Sequence, residues 1–145
     1  MNIIANLKSI AVRSPWLYRI NGGSCNGCDV ELATTALIPR WDVERLGCQY
    51  CGSPRHADIV LITGPLTRHV RDAALRLFEE IPDPKVTVAV GVCPITGGIF
   101  RESYAVCAPI DDYFPVDVNI PGCPPRPQAI LDGVAKAIAV WRERL

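Results

Sequence analysis

Eight consecutive residues, Gly22-Gly23-Ser24-Cys25-Asn26-Gly27-Cys28-Asp29, constrain this chain more than any other stretch. They follow the apolar run Trp16-Leu17-Tyr18-Arg19-Ile20, so the segment reads as a strand, a glycine-rich turn and a helix opening near Asp29. Two thiols three positions apart on a tight turn can address one soft metal centre, and glycine lets the backbone approach closely and adopt positive φ. A CxxC pair alone fits a zinc knuckle, a thioredoxin-like redox pair or half of an iron–sulfur site. Two more loops narrow the choice: Gly91-Val92-Cys93-Pro94 after a second apolar run, and Pro121-Gly122-Cys123-Pro124-Pro125-Arg126-Pro127 after a third. In an open α/β sheet, loops after the carboxyl ends of the strands gather on one edge, where ligands bind. Four thiolates there, from Cys25, Cys28, Cys93 and Cys123, suit an iron–sulfur cluster with all-cysteine ligation.

The whole chain agrees with a metal-bearing α/β domain. Its 145 residues predict one domain without linker or repeat. Lys and Arg number 15 and so do Asp and Glu, so there is no basic excess to neutralise phosphates and nucleic acid is not the expected partner. The odd count of seven cysteines and their CxxC spacings fit metal binding better than a disulfide framework. No secretory signal and no run of 18 apolar residues is evident, so any link to a membrane is expected to come through partners.

In chain order, Ile3, Ile4, Leu7, Ile10 and Ala11 have helical spacing, which predicts an N-terminal helix over 1–15 that packs on its own domain or docks a partner subunit. Residues 16–20 predict a strand. Asp29 to Leu37 predicts a helix with Val30, Ala33 and Leu37 on one face, capped by Asp29 or Asn26, its positive end toward the cysteines. Trp41 to Gly52 gives no clear element beyond a short strand near Tyr50. Ile59-Val60-Leu61-Ile62-Thr63 and Val86-Thr87-Val88-Ala89-Val90 are continuous apolar runs, as in strands covered on both faces. Thr67 to Ile81 predicts an amphipathic helix with Thr67 as N-cap. Pro94 and Gly97-Gly98 predict an extended loop, and 99–115 reads as irregular. Val116 to Ile120 predicts a strand, and Pro127 to Arg144 a final helix with Pro127 in its first turn. Strands alternating with helices give a parallel α/β sheet.

Taken together, the Cys25–Cys28 turn, Ser53-Pro54-Arg55-His56-Ala57-Asp58, the Cys93 loop and the Cys123 loop resemble one family. It is the small subunit of membrane-bound, energy-converting nickel–iron hydrogenases, related to the cluster-bearing subunit beside the quinone site of NADH:quinone oxidoreductase. The resemblance runs from about Trp16 to the end. The respiratory relative carries two adjacent cysteines at the first position, whereas here Asn26-Gly27 separates Cys25 from Cys28, as in the hydrogenase branch. Uptake hydrogenase small subunits are similar too, but longer, with cysteines for additional clusters.

The resemblance implies a flavodoxin-like fold and one 4Fe-4S cluster held by Cys25, Cys28, Cys93 and Cys123. It implies that the chain relays electrons between ferredoxin-like iron–sulfur subunits and a nickel–iron centre in a separate large subunit. Integral membrane subunits of the same complex would hold it peripherally on the cytoplasmic side of the cell membrane. Cys48, Cys51 and Cys107 match no ligand position; Cys48 and Cys51 read as structural or incidental and Cys107 as a buried free thiol. Glu31 is either a proton-handling carboxylate or a partner of the helix dipole. Arg55 and Arg126 either offset cluster charge or pair locally, and His56 is either a surface residue or a polar group near the cluster. The amides of Gly23, Gly27, Gly91 and Gly122 are candidate donors to sulfur. Three rival readings are a complex I-type quinone oxidoreductase subunit, a zinc-stabilised interaction module, and a disulfide oxidoreductase using Cys25 and Cys28.

Overall fold

The structure, a computed structural model, describes residues 14–145. The N-terminal helix expected over 1–15 lies almost wholly outside them.

The two apolar runs form the middle of the sheet. β3 (Ile59–Thr63) and β5 (Val86–Val90) are buried at every position and pair in parallel. β1 (Trp16–Asn21) pairs on the other side of β3, β2 (Gln49–Tyr50) on β1, and β7 (Val118–Ile120) on β5, all parallel. The order β2-β1-β3-β5-β7 is that of flavodoxin-like folds. A separate antiparallel pair joins β4 (Leu66–Thr67) to β6 (Val106–Cys107).

Successive strand side chains alternate between faces, and the core divides accordingly. Leu17, Ile59, Leu61, Val88 and Ile120 lie on one face, under α1 (Gly27–Leu37) and α4 (Pro127–Arg144). Ile20, Val60, Ile62 and Ala89 lie on the other, under α2 (Arg68–Glu79), with Phe78 meeting Phe114 edge to face at 5.1 Å. At the closest approach of helix and sheet, Gly133 of α4 lets Ile120 of β7 in; a Cβ there would stand 2.2 Å from Ile120 Cδ1.

The structure corrects several expectations. α1 buries Cys28, Leu32 and Thr35, while Val30 and Leu37 are exposed, so the apolar face read from the sequence points away from the core. The loop after β5 is not extended: Val92–Thr96 forms a short helix, α3. The stretch 99–115 is not wholly irregular, since it contains β6. Thr67 stands at the N-cap of α2 without a side-chain cap bond.

Candidate functional site

Because all five sheet strands run the same way, their carboxyl ends define one edge. The turns after β1, β5 and β7 meet there and carry Cys25 and Cys28, Cys93, and Cys123. The first turn is built from Asn21, the last residue of β1. Its Oδ1 accepts from the amides of Gly23 and Ser24, both at 2.8 Å, the short polar side chain standing in for backbone in a tight turn. The Gly22 amide donates to Thr63 O and its carbonyl accepts from Thr67, which ties the turn to the end of β3. Asn26 takes a left-handed conformation (φ 66°) and opens α1. Cys28, in the first turn of that helix, is 8% exposed, while Cys25 is exposed.

The second and third turns are locked to each other. The Gly91 amide donates to Ile120 O and the Val92 amide to Gly122 O, each at 2.8 Å. This brings Cys93 of α3, 9% exposed, beside the Cys123 turn. A Cβ at Gly91 would stand 2.6 Å from Cys28 Sγ and 3.5 Å from Gly122 O, so the first pair sits directly over these two turns. Gly27 lies between Cys25 and the third turn: its Cβ would stand 3.6 Å from Cys25 Sγ and 3.9 Å from Pro124.

The four thiols act on one another. Cys28 is pushed up to about 11, first by burial and then by the charges of Cys93, Cys25, Asp29 and Cys123. Burial also raises Cys93, followed by the charges of Cys123 and Cys25. Four thiolates in this corner therefore require a cationic centre, and the donor set is entirely soft sulfur. The residues present fit an iron–sulfur group. Among the described residues no three His, Cys, Asp or Glu side chains close around a single point as one metal ion demands.

The remaining cysteines lie elsewhere. Cys48 and Cys51 flank β2 at the opposite edge, one in each half of the core, and their thiols donate to Val43 O and Ser53 O, both at 3.3 Å. Cys107 is buried in β6, within the half of the core that Tyr113 packs against. Arg55 and His56 precede β3, so they also stand at the edge away from the four thiols. Arg55 pairs locally with Glu80 at 3.5 Å. Arg126 is exposed just beyond the third turn, and neither it nor half-buried Glu31 has a side-chain hydrogen bond or ion pair among the described residues. Two amides expected to face sulfur are taken: Gly23 donates to Asn21 and Gly91 to Ile120.

Sequence reasoning missed Asp29. It does not cap α1; its carboxylate turns back to the sheet and accepts from Arg19, Asn21, Ser24 and Thr63. The signal available was a cluster of short polar residues around the turn, Asn21, Ser24 and Asp29.

Comparison with known proteins decides the family. The profile described as NADH ubiquinone oxidoreductase, 20 Kd subunit, matches residues 25–137, most of the chain and all four converging cysteines. The chain belongs to this 20-kDa subunit family. It is therefore an oxidoreductase subunit. Within the family it is 52% identical to a probable membrane-bound hydrogenase subunit of Pyrococcus furiosus, over 93% of this chain and 80% of that one. It is 45% identical to formate hydrogenlyase subunit 7 of Escherichia coli, over 97% of this chain and 55% of that one. Among solved structures, a chain of the membrane-bound sulfane sulfur reductase, an archaeal respiratory membrane complex, superposes with a TM-score of 0.80 at 36% identity. That match covers 95% of this chain and 76% of that one. A chain of an NAD+-reducing nickel–iron hydrogenase, with a TM-score of 0.63 at 19% identity over 88% and 93%, shares the fold. Among the described residues of this 20-kDa family member, no helix is long and apolar enough to cross a membrane.

Proposed function

We propose that the chain is the electron-transfer small subunit of an energy-converting, membrane-bound nickel–iron hydrogenase, with Cys25, Cys28, Cys93 and Cys123 holding one 4Fe-4S cluster. The observation that carries this reading is the meeting of three separate turns, each after a parallel strand, that carry four thiols, with Cys28 and Cys93 each raised in part by the charges of others among the four. In a cuboidal cluster each thiolate binds a different iron, which suits single ligands from remote turns, whereas structural zinc sites draw theirs from close CxxC pairs. The bound cluster supplies one-electron exchange between partner subunits.

The chain's own residues contribute position and environment. Asn21 and Asp29 fix the first turn. The backbone ladder from Gly91-Val92 to Ile120 and Gly122 fixes the other two. Thiolate ligation displaces four protons, so loading couples to pH and to the order of the three turns. Burial of Cys28 and Cys93 keeps water from one side, while exposed Cys25 and Cys123 leave the other side for partner chains. Ile99 and Tyr104, 88% and 87% exposed near that edge, support a covering subunit. The nickel–iron centre belongs to a large subunit, the second electron partner is a ferredoxin-like subunit, and integral membrane subunits anchor this chain on the cytoplasmic side. The likeness to membrane-complex subunits supports the anchoring.

Anaerobic purification of the native complex with metal and acid-labile sulfide analysis tests the proposal. Iron and sulfide in this chain, with nickel and hydrogen turnover in the complex, is the expected result. Zinc without sulfide, or quinone reduction without nickel, would overturn it.

A further inference from the structure

The Cys25–Cys28 turn leans on a carboxylate that metal ligation does not use. Asp29 follows Cys28 directly, and its side chain is only 8% exposed. It accepts from four donors on three pieces of chain. These are the Arg19 guanidinium on β1 at 2.8 Å, the Asn21 amide at the end of β1 at 3.3 Å, the Ser24 hydroxyl within the turn, and the Thr63 hydroxyl at the end of β3 at 2.9 Å. That fills the roughly four lone-pair sites a carboxylate offers. Through Ser24 the carboxylate grips the turn just before Cys25; through its own backbone it is bound to Cys28. The same bonds tie the turn to the adjacent strands β1 and β3.

A buried anion is thereby fixed one residue from a thiol of the site, with its cation paired to it from β1. The anion is held at the sheet and not spent on capping α1, which has no side-chain cap. Arg19, 45% exposed, is the more solvated partner. An electron added to a centre held by these cysteines experiences both charges, the buried one with less screening. Nearby charge, hydrogen bonding and exposure are the quantities that set the potential of such centres.

We propose that Asp29 and Arg19 are positioning residues for the Cys25–Cys28 turn, and that the balance of their two charges biases the electron affinity of the centre the four cysteines hold. The inference rests on the ligand reading above. Asp29→Asn removes the negative charge, keeps one acceptor oxygen for Thr63 and turns an amide donor toward the Ser24 hydroxyl oxygen, so reduction becomes easier. Arg19→Gln leaves Asp29 uncompensated, so reduction becomes harder. A structural role alone sets no sign for either shift, whereas the charge balance fixes both.

The test is a spectroscopically monitored redox titration of the intact complex, with iron and sulfide content measured in parallel. In the expected result both variants load the centre, the midpoint potential rises in Asp29→Asn and falls in Arg19→Gln, and the first shift is the larger. Unchanged potentials in both, or shifts in one direction, overturn the inference while leaving the ligand reading intact. Should Asp29→Asn fail to load, Arg19→Gln decides alone: a downward shift upholds the charge balance and none overturns it. An unaltered complex without any iron–sulfur signal removes the ligand reading, and this inference with it.

Discussion

Gly91 and Cys28 occupy one space: a Cβ at position 91 would stand 2.6 Å from the Cys28 sulfur. The glycine also has φ 94° and ψ 166°, a region that side chains avoid. Gly91→Ala is therefore expected to destabilise the chain by about 1–3 kcal/mol from the backbone alone, and to push Cys28 off its position. Iron and sulfide content of the purified variant, beside its unfolding midpoint, checks both effects. Full loading at unchanged stability would contradict the packing of these two turns.

The contact between Gly133 and Ile120 makes a second prediction. Gly133→Ala favours the helix by about 1 kcal/mol, but overpacking against a buried strand costs roughly 1–3 kcal/mol. Net destabilisation is expected, because the new Cβ would fall 2.2 Å from Ile120 Cδ1. In an Ile120→Ala background the same substitution should cost nothing or stabilise, a coupling that urea unfolding of the four variants measures.

Cys48 should behave as a core residue and not as a reactive or ligating thiol. Burial pushes it up to about 11, against a smaller lowering by a backbone hydrogen bond. At pH 8 only about one molecule in a thousand then carries the thiolate, the reactive form. In the folded, metal-free chain, mass-resolved alkylation should modify exposed Cys25 and Cys123 and leave Cys48 untouched until the chain unfolds. Cys48 labelling as fast as Cys25 would place it outside the core.

Asp58 gives a pH dependence with a defined sign. Burial raises it above the ordinary carboxylate value, partly offset by the bond from the Trp16 amide at 2.8 Å. The folded chain thus holds this proton more tightly than the unfolded chain. The stability associated with it is complete below the unfolded value and is lost as pH rises through the folded one. Asp58→Asn, which keeps an acceptor for Trp16, should gain on the parent chain as pH rises from about 3 to 6. Denaturant unfolding at these two pH values checks it; a constant difference would contradict the burial.

The sequence made some elements plain for physical reasons. Ile59–Thr63 and Val86–Val90 are apolar on both faces because helices cover both faces of a parallel sheet, and a continuous run has no other simple home. Pro127 and the spacing of Ile130, Val134, Ala137, Ile138 and Trp141 set α4. The gathering of Cys25, Cys28, Cys93 and Cys123 followed from the rule that loops after parallel strands share an edge. The inward face of α1 was not legible, because its inward positions include Cys28 and Thr35 while Val30 and Leu37 face out. Asp29 was misread as a cap because its partners Arg19 and Thr63 come from other elements, a tertiary arrangement that local propensity does not encode. The placement of His56 and Arg55 away from the thiols needed only the strand direction: residues before a parallel strand lie at the edge opposite those after it.

The central claim is that four sulfurs from three turns hold one iron–sulfur centre and the other three cysteines do not. The most direct test is low-temperature electron paramagnetic resonance of the reduced complex carrying Cys123→Ser, beside one carrying Cys48→Ser. The expected result is loss or marked alteration of this chain's signal, with loss of turnover, in Cys123→Ser, and a signal like that of the parent in Cys48→Ser. An unaltered signal in Cys123→Ser together with its disappearance in Cys48→Ser would contradict the ligand set.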